Sequence, residues 1–246
     1  MQVWEDVKGA VGLLTLLPSG RSHGPTRPAA WFPWVGWVFA VSGLAVASAA
    51  SIFIESDRAS LLVAVLIVCV WAFLSRLLHW DGLADTADAL WGGHTPQRRL
   101  EIMRDPRSGA FGIIVIVLMA LLQVTSIAII FASRDWWALG AAPVIGRFSA
   151  SLGLWSARPA REDGLGASLS TVPHASEIMI AALAVGATLV VPCPCRLMIF
   201  CGAMVVAFAA PRLLGRKVGG VTGDILGASV MIVETVVLVA AALMGA

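Results

Sequence analysis

The sequence predicts an all-α integral membrane protein, a polytopic helical bundle with about seven transmembrane helices and short cytoplasmic interfacial helices. Of the 246 residues, 59% are hydrophobic and only 13% are charged, whereas a soluble domain has about 25% charged residues. The mean hydropathy of +0.87 agrees with this composition. Much of the apolar surface is therefore expected to face lipid.

Seven stretches are nearly free of charge, and about 20 apolar residues suffice to cross the bilayer as a helix. The fifth stretch is the shortest, and the fourth contains Arg147. We take all seven as predicted spans. They cover residues 31–54, 59–78, 110–132, 136–155, 177–191, 197–214 and 225–246.

The distribution of basic residues predicts the orientation of the chain. Most of the 17 Lys and Arg residues lie before the first span, between spans two and three, after span four, or around the end of span six. The intervening loops, residues 55–58, 133–135 and 192–196, are short and contain one Arg each. Because cytoplasmic loops are enriched in Lys and Arg, we expect the N-terminus inside and the C-terminus outside.

No repeat, low-complexity segment or long linker divides the chain, which predicts one membrane-embedded domain over residues 1–246. Residues 1–30 are expected to form a cytoplasmic, interfacial segment with an amphipathic helix at 3–17. The early acids Glu5 and Asp6 argue against a cleavable signal peptide. The sequence leaves open whether the chain forms a homo-oligomer.

The net charge of +2 says little about nucleic acid, but the basic residues form no continuous patch, so nucleic acid is not a predicted partner. Cys193-Pro-Cys195 allows two interpretations, a bend between spans or a redox or metal pair. We favour the bend, because no further Cys or His lies nearby. The scattered His79, His94 and His174 lack zinc-ligand spacing, and we assign them no role.

The loop of residues 79–109 is the longest one predicted inside, and its pattern indicates two short helices. Acidic and apolar residues recur at helical spacing over 80–90, and Gly92-Gly93 can end that helix. Thr95 and Pro96 are typical of the N-cap and first position of a second helix at 97–104. The loop is thus predicted to be an ordered acidic, catalytic segment.

Three aspartates in this loop form the strongest local signal. Asp81, Asp85 and Asp88 are spaced i, i+4 and i+7, and at about 100° per residue they share one narrow stripe of the helix. Such like charges repel one another, and carboxylates are suitable ligands for Mg²⁺ or Mn²⁺. The alternative, a solvated acidic face, is weakened because no Lys or Arg is interleaved with these acids.

A second segment follows the acidic stripe. Asp105 could complete a metal site, and the guanidinium groups of Arg104 and Arg107 could hold phosphate oxygens. Taken alone, these arginines are better explained as positive charges that flank the membrane.

A glycine-rich basic loop opens into the last span. Its glycines would let backbone N–H groups approach an anion at a helix N-terminus, although the Gly-Lys-Ser/Thr ending of a P-loop is missing. Asp224 is either an N-cap or a metal or substrate ligand, and both readings stay open. The predicted substrate residues here are Arg216, Lys217, Gly219, Gly220, Thr222 and Gly223.

Four segments occur together in an order that is typical of a known family: residues 81–88, 103–112, 164–166 and 219–228. Together they resemble the adenosylcobinamide-GDP ribazoletransferases, also called cobalamin-5′-phosphate synthases. The resemblance extends from Leu14-Thr15 to Glu234. It departs from the pattern at Thr15, after which an arginine is expected and Leu16 is found.

The resemblance implies a Mg²⁺-dependent enzyme of the bacterial or archaeal inner membrane, and the distribution of basic residues predicts that its active site lies on the cytoplasmic side. Such an enzyme joins adenosylcobinamide-GDP to α-ribazole or its 5′-phosphate and releases GMP. Its product is adenosylcobalamin or the 5′-phosphate of adenosylcobalamin.

We assign roles within this reaction as hypotheses. The predicted metal ligands are the four acids of the loop, Asp81, Asp85, Asp88 and Asp105. The predicted catalytic acids are Asp81, Asp85, Asp88 and Asp224. Arg104, Arg107, Arg216 and Lys217 are predicted to hold phosphates.

Two other functions are consistent with parts of the pattern. A CDP-alcohol-type lipid phosphotransferase would use similar acids, but the acid spacing differs and the arginine of its motif is absent. An ion-coupled transporter would explain the intramembrane Glu234 and Arg147. The transporter is disfavoured because the acids cluster in one loop and no inverted repeat is evident.

Overall fold

The computed structural model describes residues 2–20, 26–53, 59–162, 164–190 and 193–245. Within these ranges the chain is helical and contains no strand; the one bridge pairs Pro159 with Val221. Short 3₁₀ helices precede α2 (Pro28–Trp31) and follow α9 (Ala187–Leu189). The α-helices are α1 (Gln2–Leu14), α2 (Phe32–Phe53), α3 (Ser60–Leu74), α4 (Leu78–Gly92), α5 (Pro96–Ile102), α6 (Ala110–Ser133), α7 (Trp137–Ser156), α8 (Leu165–Leu169), α9 (Ala175–Gly186), α10 (Pro194–Val218) and α11 (Gly223–Met244).

The predicted all-α membrane bundle is confirmed, and a helix lies at each of the seven predicted positions. Among the described residues, four helical stretches are long and apolar enough to cross a membrane: Pro28–Phe53, Ala110–Ser133, Pro194–Val218 and Gly223–Met244. A fifth is added if the bent pair α3 and α4 counts as one span. The predicted number of about seven transmembrane helices therefore exceeds the four or five that helix length and hydropathy support.

Two predicted spans account for much of this difference. Helix α7 carries Arg147 and is enclosed by its neighbours, so most of its residues pack inside the bundle and do not face lipid. Helix α9 has 12 residues and is shorter than a bilayer crossing requires. The predicted outer loop at 55–58 lies outside the described residues.

Helices α7 and α11 occupy the centre of the bundle. Helix α7 packs against α2, α10 and α11, while α11 also contacts α4 and α6. A buried hydrogen bond from Gln123 to Thr235 (3.0 Å) connects α6 to α11. The indole N–H groups of Trp34 and Trp37 donate to carbonyls of α9 and tie it to α2.

A buried ion pair joins the two central helices. Arg147 of α7 and Glu234 of α11 are 2% and 5% exposed at their side chains and contact each other directly. The guanidinium also donates to the carbonyl of Pro143 (3.0 Å) and lies 3.5 Å from the centre of the Phe39 ring. Because a buried charge is costly unless it is paired, this arrangement supports a structural role for the two residues rather than an ion pathway.

A sharp turn separates α3 from α4 and sets the direction of α4. Arg76 and Leu77 have positive φ angles of 53° and 61°, which are unfavourable for residues with side chains. The two helices meet at 88°, so α4 runs almost perpendicular to α3. The Arg76 guanidinium donates to the carbonyls of Gly12 (2.9 Å) and Leu13 (3.2 Å), which fixes the end of α1 beside this turn.

Cys193 supports the bend interpretation of the cysteine pair. Its sulfur accepts a hydrogen bond from the backbone N–H of Arg196 and caps the first turn of α10. The described cysteines are all free thiols.

We predict that Glu234→Gln destabilises the bundle strongly, because the Arg147 cation would stay buried without a counter-charge. Breaking a buried pair in this way costs roughly 3–5 kcal/mol. The midpoint of thermal unfolding in detergent should fall clearly. In contrast, Glu101→Gln, which disrupts the exposed pair with Arg98, should leave the midpoint nearly unchanged. Equal midpoints for the two variants would contradict a stabilising role for the buried pair.

Candidate active site

The site is built where α4 packs against the first turn of α11. The contact is made at Gly82, where an added Cβ would lie 2.8 Å from the carbonyl oxygen and 3.0 Å from the Cα of Asp224. Both atoms belong to the backbone and cannot move aside as a flexible side chain would. Glycine at position 82 therefore permits the approach that brings the acidic face of α4 to Asp224.

Three carboxylates from two separate segments come together at this contact. Asp85 is half-buried and close enough to Asp81, Asp88 and Asp224 to interact electrostatically with each of them. Asp81 and Asp224 also interact with one another. The structure thus brings the predicted acids Asp81 and Asp85 to Asp224, and their mutual repulsion favours binding of a cation.

Asp224 is not the N-cap of α11. The Thr222 hydroxyl oxygen caps the helix by accepting a hydrogen bond from the N–H of Ile225 (3.2 Å). The same hydroxyl donates to Asp224 Oδ2 (3.2 Å). The N-cap interpretation of Asp224 is therefore wrong. Thr222 caps the helix and orients the carboxylate, and its predicted substrate contact stays a prediction.

Asp88 faces a different partner from the other acids of its stripe. Its oxygens accept hydrogen bonds from the N–H groups of Gly109 (2.7 Å) and Gly112 (2.9 Å) at the start of α6. An added Cβ at either glycine would lie 2.5 Å or less from a carboxylate oxygen of Asp88. Because both oxygens are bound by backbone, Asp88 is placed as an anchor between α4 and α6. This geometry does not support its predicted role as a metal ligand.

Asp105 and Arg107 bind each other. Two guanidinium nitrogens of Arg107 donate to the Asp105 carboxylate at 2.9 and 2.7 Å. These hydrogen bonds lower the pKa of Asp105 to about 2. A metal ion at Asp105, or a phosphate at Arg107, would have to share or replace this pairing. The neighbouring Arg104 is exposed just after the end of α5.

The glycine-rich loop is held by its own backbone. Gly219 ends α10 with a φ of 90°. The N–H of Gly220 donates to Gly215 (2.9 Å), and that of Val221 donates to Arg158 (2.8 Å). At Gly220 a Cβ would lie 2.6 Å from the Arg158 carbonyl. The N–H of Gly219 also donates to the Gly215 carbonyl. These amides therefore stabilise the loop, and the predicted phosphate contacts of Gly219 and Gly220 stay predictions.

The two basic residues before this loop are placed differently. Arg216 lines a cavity with Arg158 and Arg212. Lys217 is exposed, and its carbonyl accepts a hydrogen bond from Arg99 (2.7 Å), which ties α5 to α10. Their predicted phosphate contacts stay predictions.

Two cavities of different character meet at Gly223 and Asp224, which line both of them. The first, the polar cavity, is also lined by Arg161, Gly164, Gly166 and Ala167, and by residues 221–222. The second, the apolar cavity, lies between α1, α4, α7 and α11, and Asp81 and His79 are its other polar side chains among the described residues. A reaction at Asp224 could therefore draw one reactant from each side.

Arg161 supplies a positive charge beside the acids. Its Nη2 lies 3.7 Å from Asp224 Oδ2. We did not assign Arg161 a role from the sequence, although it stands close to the Gly164-Leu165-Gly166 motif. His79 was also assigned no role, because a single histidine without zinc-ligand spacing does not indicate a function until its surroundings are known.

The chemistry of this cluster fits Mg²⁺, although not as a preformed cage. Among the described residues, no three Asp, Glu, His or Cys side chains converge closely enough to hold one metal ion. Mg²⁺ commonly uses only one or two protein carboxylates, and completes its shell with waters and substrate phosphates. Asp81 and Asp85 are two carboxylates on one face of α4, which is the number that such a site needs.

We predict that Gly82→Ala lowers the midpoint of thermal unfolding. The new methyl group would force α4 away from the Asp224 backbone, which outweighs the gain of up to about 1 kcal/mol in helix propensity. The matched control is Gly202→Ala in α10, where an added Cβ meets open space. The control should be as stable as the wild type or more stable. A Gly82→Ala protein with an unchanged midpoint would show that the close approach is not required.

Comparisons with known proteins identify the family. The family model described as cobalamin-5-phosphate synthase matches residues 6–242. The adenosylcobinamide-GDP ribazoletransferase of Stutzerimonas stutzeri is 37% identical over 94% of this chain and 91% of its own length. Proteins of the same name from Syntrophobacter fumaroxidans and Bradyrhizobium diazoefficiens are each 38% identical, over 98% and 96% of this chain and 100% and 93% of their own lengths. No solved structure matches the chain. The chain belongs to the cobalamin-5-phosphate synthase family.

Proposed function

We propose that the protein is an adenosylcobinamide-GDP ribazoletransferase, which completes the assembly of cobalamin. It joins adenosylcobinamide-GDP to α-ribazole or its 5′-phosphate, and releases GMP. The observation that carries this proposal is the acid cluster of Asp81, Asp85 and Asp224, in which Asp224 lines both the polar and the apolar cavity. The names of the family and of its relatives agree with it.

The reaction replaces the phosphoanhydride bond to GMP with a phosphate ester bond to the acceptor. A ribose hydroxyl of the acceptor attacks the phosphorus that bears the cobinamide. The bond from that phosphorus to the oxygen of the departing GMP breaks, and the acceptor hydroxyl loses its proton. The protein must therefore hold a pyrophosphate, position a hydroxyl beside it, and accept one proton.

Asp81 and Asp85 are the proposed Mg²⁺ ligands, because they share a face of α4 and neither carboxylate is bound by backbone in the way that Asp88 is. Bound Mg²⁺ would neutralise charge that develops on the pyrophosphate oxygens. Asp105 and Asp88 are left out of this proposed ligand set, since each already has hydrogen-bond donors at its carboxylate.

Asp224 is the proposed proton acceptor. It lines both cavities, so a hydroxyl entering from the apolar side and a phosphate on the polar side would both be within its reach. Thr222 orients its carboxylate through the hydrogen bond to Oδ2. Arg161 stands at the polar side, where its guanidinium can bind phosphate oxygens.

We further propose that the protein resides in the inner membrane of a prokaryote with this site on the cytoplasmic side. The concentration of basic residues around the site supports that orientation. Contact with lipid is supported by the exposed apolar face of α6, formed by Ile113, Ile114, Val117, Leu118 and Leu121.

The decisive experiment follows labelled GMP released from adenosylcobinamide-GDP by purified, detergent-solubilised protein in the presence of α-ribazole and Mg²⁺. We predict that Asp81→Asn, Asp85→Asn and Asp224→Asn each reduce kcat at least about tenfold, equivalent to roughly 1.4 kcal/mol of transition-state stabilisation. Their unfolding midpoints should stay near that of the wild type. Asp88→Asn should differ by losing stability, because its amide nitrogen cannot accept the bond that one of its two backbone donors makes.

The exposed acid Glu101 provides a matched control, and Glu101→Gln should retain normal turnover. Near-normal turnover in all three active-site variants at saturating Mg²⁺ would refute the assignment of the site. A wild-type protein that releases CMP from a CDP-linked lipid, and no GMP from the cobinamide substrate, would instead support the lipid phosphotransferase.

A further inference from the structure

We propose that the apolar cavity is the binding site for the aromatic base of the acceptor nucleoside, and that His79 recognises a ring nitrogen of that base. The inference rests on the proposed function and names a substrate subsite within it. Three observations carry it: the composition of the cavity wall, an unpaired nitrogen of His79, and the position of Asp224 at the boundary with the polar cavity.

The wall of the cavity is almost wholly hydrocarbon. Leu14, Phe32, Leu154 and Val230 are all at most 5% exposed and come from α1, α2, α7 and α11. Such a wall gains free energy by excluding water from an apolar ligand. It would leave most polar groups of a sugar, a phosphate or a guanine without hydrogen-bond partners.

His79 is the polar group that lies deepest in this wall. The residue is 3% exposed, and its Nε2 is buried without a hydrogen-bond partner in the described chain. Buried polar atoms are nearly always paired, so an unpaired nitrogen beside a cavity indicates a partner that arrives with the ligand. Asp81, two residues along α4, is exposed and marks the solvent side of the same cavity.

These features define the ligand chemically. They favour a group that is apolar over most of its surface and has one polar atom for His79. The benzimidazole base of α-ribazole has this character, because one ring nitrogen is bonded to the ribose and the other is unsubstituted. The guanine of the donor does not, since it carries several donors and acceptors.

The arrangement also places the reacting groups. With the base in the apolar cavity, the attached ribose would extend toward Gly223 and Asp224, which are shared with the polar cavity. The donor phosphates would then lie on the Arg161 side. His79 would act as a specificity-determining residue that touches the acceptor and leaves the donor untouched.

The test measures the affinity for labelled α-ribazole by equilibrium dialysis and, separately, the KM for each substrate. His79→Phe keeps an aromatic ring but removes both ring nitrogens. We expect the affinity for α-ribazole to fall, and its KM to rise, at least about tenfold. The KM for adenosylcobinamide-GDP should stay within about twofold. His79→Gln, which retains a polar group, should restore part of the binding. His94→Phe, at an exposed histidine, should match the wild type.

A second measurement uses the wild-type protein and does not depend on the folding of a variant. An acceptor analogue in which carbon replaces the unsubstituted ring nitrogen should bind at least about tenfold more weakly than α-ribazole. Equal binding of the two ligands, or unchanged binding in a folded His79→Phe protein, would overturn the inference. Either result would mean that a water molecule, and not the ligand, is the partner of Nε2. If α-ribazole binds as expected but no GMP is released, the proposed function fails and the subsite stands.

Discussion

The close approach of α4 to the first turn of α11 is the contact on which the rest of the site depends. It requires a residue without a side chain at Gly82, because a Cβ would collide with the Asp224 backbone. Contacts at both ends of α4 fix the orientation of this helix. At its start, the turn at Arg76 and Leu77 sets the helix at 88° to α3. Near its end, Asp88 binds the first amides of α6.

The bundle beneath this contact holds α11 in place by other means. The buried pair of Arg147 and Glu234 fixes α7 against α11, where neither charge could remain alone. Asp81 and Asp224 are treated differently, because they lie near one another and are only partly sheltered from water. The buried charges of Arg147 and Glu234 are thus neutralised within the protein, whereas we propose that those of Asp81 and Asp224 are neutralised by a bound cation. This contrast favours the enzyme hypothesis over the transporter hypothesis.

Much of the fold could be predicted from the sequence, because apolar runs and capping residues act locally. The acidic stripe was also predictable, since helical periodicity alone puts Asp81 and Asp85 on one face. What each carboxylate binds could not be predicted, because its partner comes from a distant segment: Asp88 meets the amides of α6, and Asp224 gains an arginine from the loop after α7. For the same reason His79 carried no signal until the cavity around it was known.

The measurement that tests the central claim most directly is the affinity for Mn²⁺ in the presence of adenosylcobinamide-GDP, determined by electron paramagnetic resonance. If the contact at Gly82 brings two segments to one metal-dependent site, Asp81→Asn in α4 and Asp224→Asn in α11 should both weaken Mn²⁺ binding, whereas Glu101→Gln should not. The account predicts a loss of at least about tenfold for Asp81→Asn and a smaller loss for Asp224→Asn. Wild-type affinity in both folded variants would contradict it.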